Sequence, residues 1–150
     1  MLTESKRMNI AIVLFIIINI YGIIMGLGYA ISGIGYEREI GMTSSQISNF
    51  NPRLMDFIRY MVRMTGFNVI CISITNLFIL NYSFRNKEKW AWIVLLITGT
   101  TINVAVLIGN YLFVGPLSVS FIILCARASL FTIAMGISYK EFFPKSKNAI

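Results

Sequence analysis

Residues 90–139 read WAWIVLLITGTTINVAVLIGNYLFVGPLSVSFIILCARASLFTIAMGISY, and the only charged side chain in the whole stretch is Arg127. Gly115-Pro116 divides the run in two, because proline cannot continue a helix and the pair is a turn signal. Each half exceeds the ~20 apolar residues that carry an α-helix through the ~30 Å hydrocarbon core of a bilayer. Two further uncharged runs precede it, one from Met8 to about Ile34 and one between Arg63 and Arg85. The first is far longer than the ~7–15-residue apolar core of a signal peptide, so it reads as a retained anchor.

The expectation is an all-α protein, a bundle of four transmembrane helices over about 8–34, 57–84, 90–113 and 117–139, forming one integral membrane domain over residues 1–150. Composition agrees: 57% of the 150 residues are hydrophobic and 13% charged, against roughly 25% charged in a soluble domain. No separate soluble domain fits beside four spans and their connections. The net charge of +7 does not point to nucleic acid, because the basic residues sit at the edges of apolar segments, where topology determinants belong.

Lys6, Arg7, Arg85, Lys87, Lys89, Lys140, Lys145 and Lys147 fall on one side of such a bundle, and Arg38, Arg53, Arg59 and Arg63 on the other. The larger group marks the cytoplasmic side and places both termini there, in the cell membrane. Trp90, Trp92, Tyr82, Tyr111 and Tyr139 lie near span ends, as an interfacial aromatic belt requires. In the first connection, Thr43-Ser44-Ser45-Gln46 has the spacing of a capping box, and Asn51-Pro52 is a helix start with a capping oxygen followed by a proline. Leu54, Phe57, Ile58 and Met61 then form one helical stripe, and Arg53, Asp56, Arg59 and Arg63 another, so a short extracytoplasmic amphipathic segment leads into the second span. The charged stripe reads as a solvated surface with Asp56 paired to Arg53 or Arg59, or as a docking face for another subunit.

Helices in lipid gain little from burying apolar surface against one another, so close backbone packing and interhelical hydrogen bonds matter more. Gly22, Gly26 and Ala30 form a small-residue face on the first span, and Ala128, Thr132 and Gly136 one on the fourth. The motif fits packing within the chain and pairing of two copies equally well; with four spans available, packing within the chain is the expectation.

Arg127 needs a reason, because a cation at mid-bilayer depth costs about 2.5–3.5 kcal/mol on insertion scales. Counting ~1.5 Å of rise per residue from the helix ends puts Asn103 and Arg127 at a similar depth, roughly 15 Å. Asn19, and Ser73 to Asn76, fall near the same plane. With Ser129 nearby, Arg127, Asn103, Asn76 and Asn19 form a candidate central polar site for a ligand or partner, in which amide oxygens accept from the guanidinium.

Absent residue types narrow the function classes. The chain has no histidine, which removes the commonest acid–base catalyst and metal ligand. No carboxylate lies inside a span, as a small proton-coupled exporter would need. Cys71 and Cys125 stand alone without a Cys-x-x-Cys and read as small buried hydrophobes, and the methionines form no soft-metal cluster. The expectation is therefore no enzyme, no cofactor, no metal and no nucleic-acid partner.

The segment Tyr82-Ser83-Phe84-Arg85-Asn86-Lys87-Glu88-Lys89-Trp90-Ala91-Trp92 resembles a pattern in small uncharacterised four-helix membrane proteins, where a basic turn feeds a Trp-Ala-Trp. Asn51-Pro52-Arg53 followed by Arg63-Met64-Thr65-Gly66 is similar to the opening of their second helix. The resemblance implies the architecture and no activity.

The leading reading of the sequence is a non-catalytic accessory subunit of a larger membrane complex of respiratory or oxidase/monooxygenase type. It would use the lipid bilayer and other membrane subunits as partners, with Arg53, Asp56, Arg59, Arg63, Gly22, Gly26 and Ala30 as interface residues. The alternative is a protein that binds or transports a small anion, lipid or quinone at a central site around Arg127.

Overall fold

The computed structural model describes residues 4–32, 43–113 and 116–144. All regular structure among them is helical: α1 (Glu4–Ser32), α2 (Ser44–Phe50), α3 (Pro52–Ile79), α4 (Lys89–Phe113) and α5 (Val119–Phe142). Four of these helices, α3 being extended by a π-helical turn at Leu80–Phe84, are long and apolar enough to cross a membrane, as an integral membrane protein requires. Arg38, Lys145 and Lys147, which enter the charge asymmetry, and Gly115 of the last turn lie outside the described residues.

The local start signals in the first connection are realised. Thr43 caps α2 in a full capping box, its side chain accepting from the Gln46 N–H while the Gln46 side chain accepts from the Thr43 N–H. Asn51 ends α2 and begins α3, its Oδ1 accepting from the Arg53 N–H at 3.0 Å with Pro52 at the first helical position. With its π turn, α3 runs over 33 residues, about 50 Å at ~1.5 Å per residue. The charged stripe occupies its first turns. There Arg53, Asp56 and Arg63 are exposed, and the pairing expected for Asp56 from its spacing is corrected: it forms no ion pair among the described residues. Water can solvate these side chains separately at little cost, so spacing alone does not hold them together.

Helix α1 is the centre of the arrangement, packing on α3 and on α5, while α4 packs on α5. The α1/α3 seam is built from small residues. A Cβ added at Gly26 would lie 2.8 Å from the Gly66 carbonyl oxygen, and one added at Gly66 would lie 2.6 Å from the Gly26 carbonyl oxygen and 2.5 Å from the Ala30 nitrogen. Gly22 likewise admits the Ser73 hydroxyl. Gly22, Gly26 and Ala30 thus pack within the chain, which corrects their expected place at an interface with another subunit: α3 already covers that face. The stripe on α5 does not: Thr132 and Gly136 are exposed, and a Cβ on Gly136 would meet nothing within 4 Å.

One end of the bundle is closed. This is the end where α1 begins, α3 joins α4 and α5 finishes. Phe15 stacks edge-on against Phe84 at 5.4 Å and against Phe131 at 6.0 Å between ring centroids, and Phe84 packs on Phe142 at 4.7 Å. Trp92 turns inward from the expected belt to donate to the Ser138 Oγ at 3.2 Å. Lys87, in the left-handed region at φ 57°, donates to Glu141 at 2.9 Å, and the Glu141 side chain is only 3% exposed against 46% for Lys87.

That pair is asymmetric. Removing Lys87 strands a buried carboxylate, whereas removing Glu141 leaves a half-exposed ammonium that water can solvate. Lys87→Ala is expected to cost about 2–3 kcal/mol, and Lys87→Gly about 1 kcal/mol less because glycine relieves the left-handed backbone. Unfolding free energies from SDS titration in mixed micelles check the order, with Glu141→Gln the mildest of the three.

Candidate functional site

Away from the closed end, all four long helices contribute to a single central cavity of about 150 Å³. From α1 come Phe15, Ile18 and Asn19; from α3 come Asn68, Ser73 and Asn76 with Val69 and Ile72; from α4 come Gly99, Ile102 and Asn103; and from α5 come Arg127 and Phe131. These positions recur at three-, four- and five-residue steps, so each helix shows the cavity one stripe. Phe131 lies one turn beyond Arg127 and forms part of the floor. Its ring presses on the α4 backbone at Gly99, where an added Cβ would overlap it, which is the steric reason for glycine at that position. Gly99→Ala is expected to destabilise by about 1–3 kcal/mol through displacement of that ring, read as a lowered unfolding midpoint.

Four of the five site residues expected from sequence meet here. Asn19 is buried and donates to the Phe15 carbonyl at 2.8 Å, and Asn76 donates to the Asn19 Oδ1 at 3.3 Å. Asn103 is buried and lines the same space. Ser129 does not join them. It is exposed and donates to the Cys125 carbonyl at 2.9 Å, because two residues along a helix correspond to a turn of about 200°. Ser73, which depth already puts near this plane, lines the cavity as well, and Asn68 joins the site without having been expected there, although it shares a helical stripe with Asn76 at an eight-residue step.

The expected satisfaction of Arg127 by asparagine amides is not found at its Nε, which is buried and has no hydrogen-bond partner among the described residues. The amide oxygen of Asn19, at the same depth, accepts from Asn76 at 3.3 Å. Arg127 also borders a shallow apolar groove between α1 and α5, where Tyr21 is the neighbouring polar side chain. Among the described residues no carboxylate lines the cavity, so its electrostatics are set by one guanidinium and the dipoles of amides and a hydroxyl.

The cysteines differ from expectation as well. Cys71 is exposed on α3 and Cys125 half-buried, both as free thiols; an apolar perimeter accommodates a cysteine as readily as a core does. Chemically the cavity offers donors to an acceptor group: guanidinium N–H groups, and amide NH₂ groups from Asn68 and Asn103. No known protein family, curated protein or solved structure matches this chain.

Proposed function

We propose that this chain is an integral membrane binding protein, with both termini cytoplasmic, whose central cavity holds an anionic or carbonyl group of a small ligand against Arg127. The observation that carries this reading is the buried Nε of Arg127, without a hydrogen-bond partner among the described residues, beside a cavity lined by amides. A buried polar group without a partner costs about 1–3 kcal/mol, more when charged, and a ligand acceptor offsets that cost. Eight Lys and Arg residues at the closed end and tail against four in the first connection and the start of α3 support the orientation.

The test is native mass spectrometry of the full chain released from mild detergent. The wild-type protein is expected to carry a small-molecule adduct that Arg127→Leu loses while keeping its helical circular dichroism. Identical spectra for the two proteins would overturn the reading.

A second reading, the accessory subunit of a membrane complex, is supported by the exposed stripe of Arg53, Asp56 and Arg63 at the start of α3, which forms no ion pair among the described residues. It sets that stripe against another membrane subunit. Co-purification of a stoichiometric polypeptide that Arg53→Glu with Arg63→Glu releases would favour it. The bilayer is a partner in either case.

A further inference from the structure

The size, charge and surroundings of the central cavity narrow what it can hold. The cavity, about 150 Å³ in volume, has room for a compact head group. Arg127 brings one positive charge and, among the described residues, no carboxylate lines the space, so the complementary ligand brings one negative charge.

The route is also constrained. The aromatic cluster of Phe15, Phe84, Phe131 and Phe142 fills the closed end, so nothing soluble reaches Arg127 from there. Helices α3 and α4, by contrast, pack mainly on α1 and α5 and meet each other chiefly through the π turn. Between them the cavity reaches the perimeter of the bundle: Asn68 and Ile72 on α3 and Val106 on α4 line it, and all three are exposed. Counted from Phe84 and Lys89, these residues sit about 18–25 Å along their helices, within the ~30 Å thickness of hydrocarbon. A mouth at that depth, with Ile72 and Val106 beside the Asn68 amide on its rim, opens onto acyl chains.

We infer that the cavity holds the carboxylate head of a long-chain carboxylic acid that enters from the bilayer between α3 and α4, leaving its chain in the cleft beside Ile72, Ile102 and Val106. This rests on the binding reading of Arg127. The head is compact enough for the space, its charge matches the guanidinium in a charge-assisted pair, and its single chain has a path outward beside exposed Ile72 and Val106.

The experiment uses the full chain in nanodiscs, with hexadecanoate, butanoate and inorganic phosphate as probes, and a diazirine-bearing hexadecanoate for crosslinking. Hexadecanoate is expected to bind one per chain, with labelling at Ile72 and Val106. Arg127→Leu should weaken it about 10–100-fold, the worth of a charge-assisted hydrogen bond. Val106→Trp, which narrows the mouth, should weaken it similarly. Ile97→Trp, on an exposed face of α4 that does not line the cavity, should leave it unchanged and controls for folding.

If butanoate or phosphate binds as tightly as hexadecanoate with the same dependence on Arg127, the ligand is a soluble anion; the inference of a membrane-borne acid is overturned and the binding reading stands. The same holds if the wild type carries an Arg127-dependent adduct that hexadecanoate does not displace. Should no Arg127-dependent ligand appear at all, both fall.

Discussion

Gly66→Leu is expected to lower the stability of the bundle by more than about 3 kcal/mol, the upper part of the range for overpacking a closed interface. The added side chain would start 2.6 Å from the Gly26 carbonyl oxygen and 2.5 Å from the Ala30 nitrogen, and neither is the end of a flexible side chain that could swing aside. The α1 and α3 backbones must separate. In lipid that loss is not recovered by apolar burial elsewhere, since the separated faces simply contact acyl chains. A matched control sits on α5: Gly136→Ala meets nothing within 4 Å and should be neutral or stabilising by about 0.5–1 kcal/mol through helix propensity. Unfolding by SDS titration reads both. A Gly66→Leu protein that unfolds at the wild-type midpoint would mean that α1 and α3 do not approach as described.

Replacing Arg127 by methionine should act in the opposite direction on the ligand-free protein. The guanidinium has its Nε buried without a partner among the described residues, and a charge at the centre of a membrane helix costs about 2.5–3.5 kcal/mol. Replacing the guanidinium removes part of that cost, so Arg127→Met is expected to stabilise the ligand-free bundle by about 1–3 kcal/mol while abolishing ligand retention. A stabilising substitution that destroys binding marks a residue kept for function at the expense of the fold. Destabilisation by more than about 1 kcal/mol would instead assign the guanidinium a structural role. The two variants together separate the small-residue seam that holds the helices from the polar site that they surround.

What could be read in the sequence was what depends on neighbours along the chain. The four apolar runs, the Thr43 capping box and the Asn51-Pro52 start are local signals and appear where their chemistry places them. The Gly22, Gly26 and Ala30 stripe was legible because a repeat of four keeps one face, and α3 meets that face through Gly66. The equivalent stripe on α5 was indistinguishable by spacing and is left unpacked at Thr132 and Gly136, since which neighbour arrives is a property of the whole fold. Depth counting brought Arg127, Asn103, Asn76 and Asn19 to one level, and all four line the cavity. Ser129 shares that level but lies about 200° around the helix from Arg127, on an exposed face. The Lys87–Glu141 pair, 54 residues apart, had no local signal at all: each looked like an ordinary charge at a helix end.

The π turn at Leu80–Phe84 has a consequence for how the chain can vary in length. An extra residue within a helical turn shifts everything beyond it by about 100° relative to a regular α-helix. Removing a single residue there would leave hydropathy unchanged and the helix more regular. It would also rotate Arg85 to Trp92 out of phase with α5, carrying Lys87 away from Glu141 and the Trp92 indole away from Ser138. This short stretch therefore behaves like a gear tooth: indels are tolerated before or after it only in whole-turn steps, and a lone deletion within it should uncouple the closed end of the molecule.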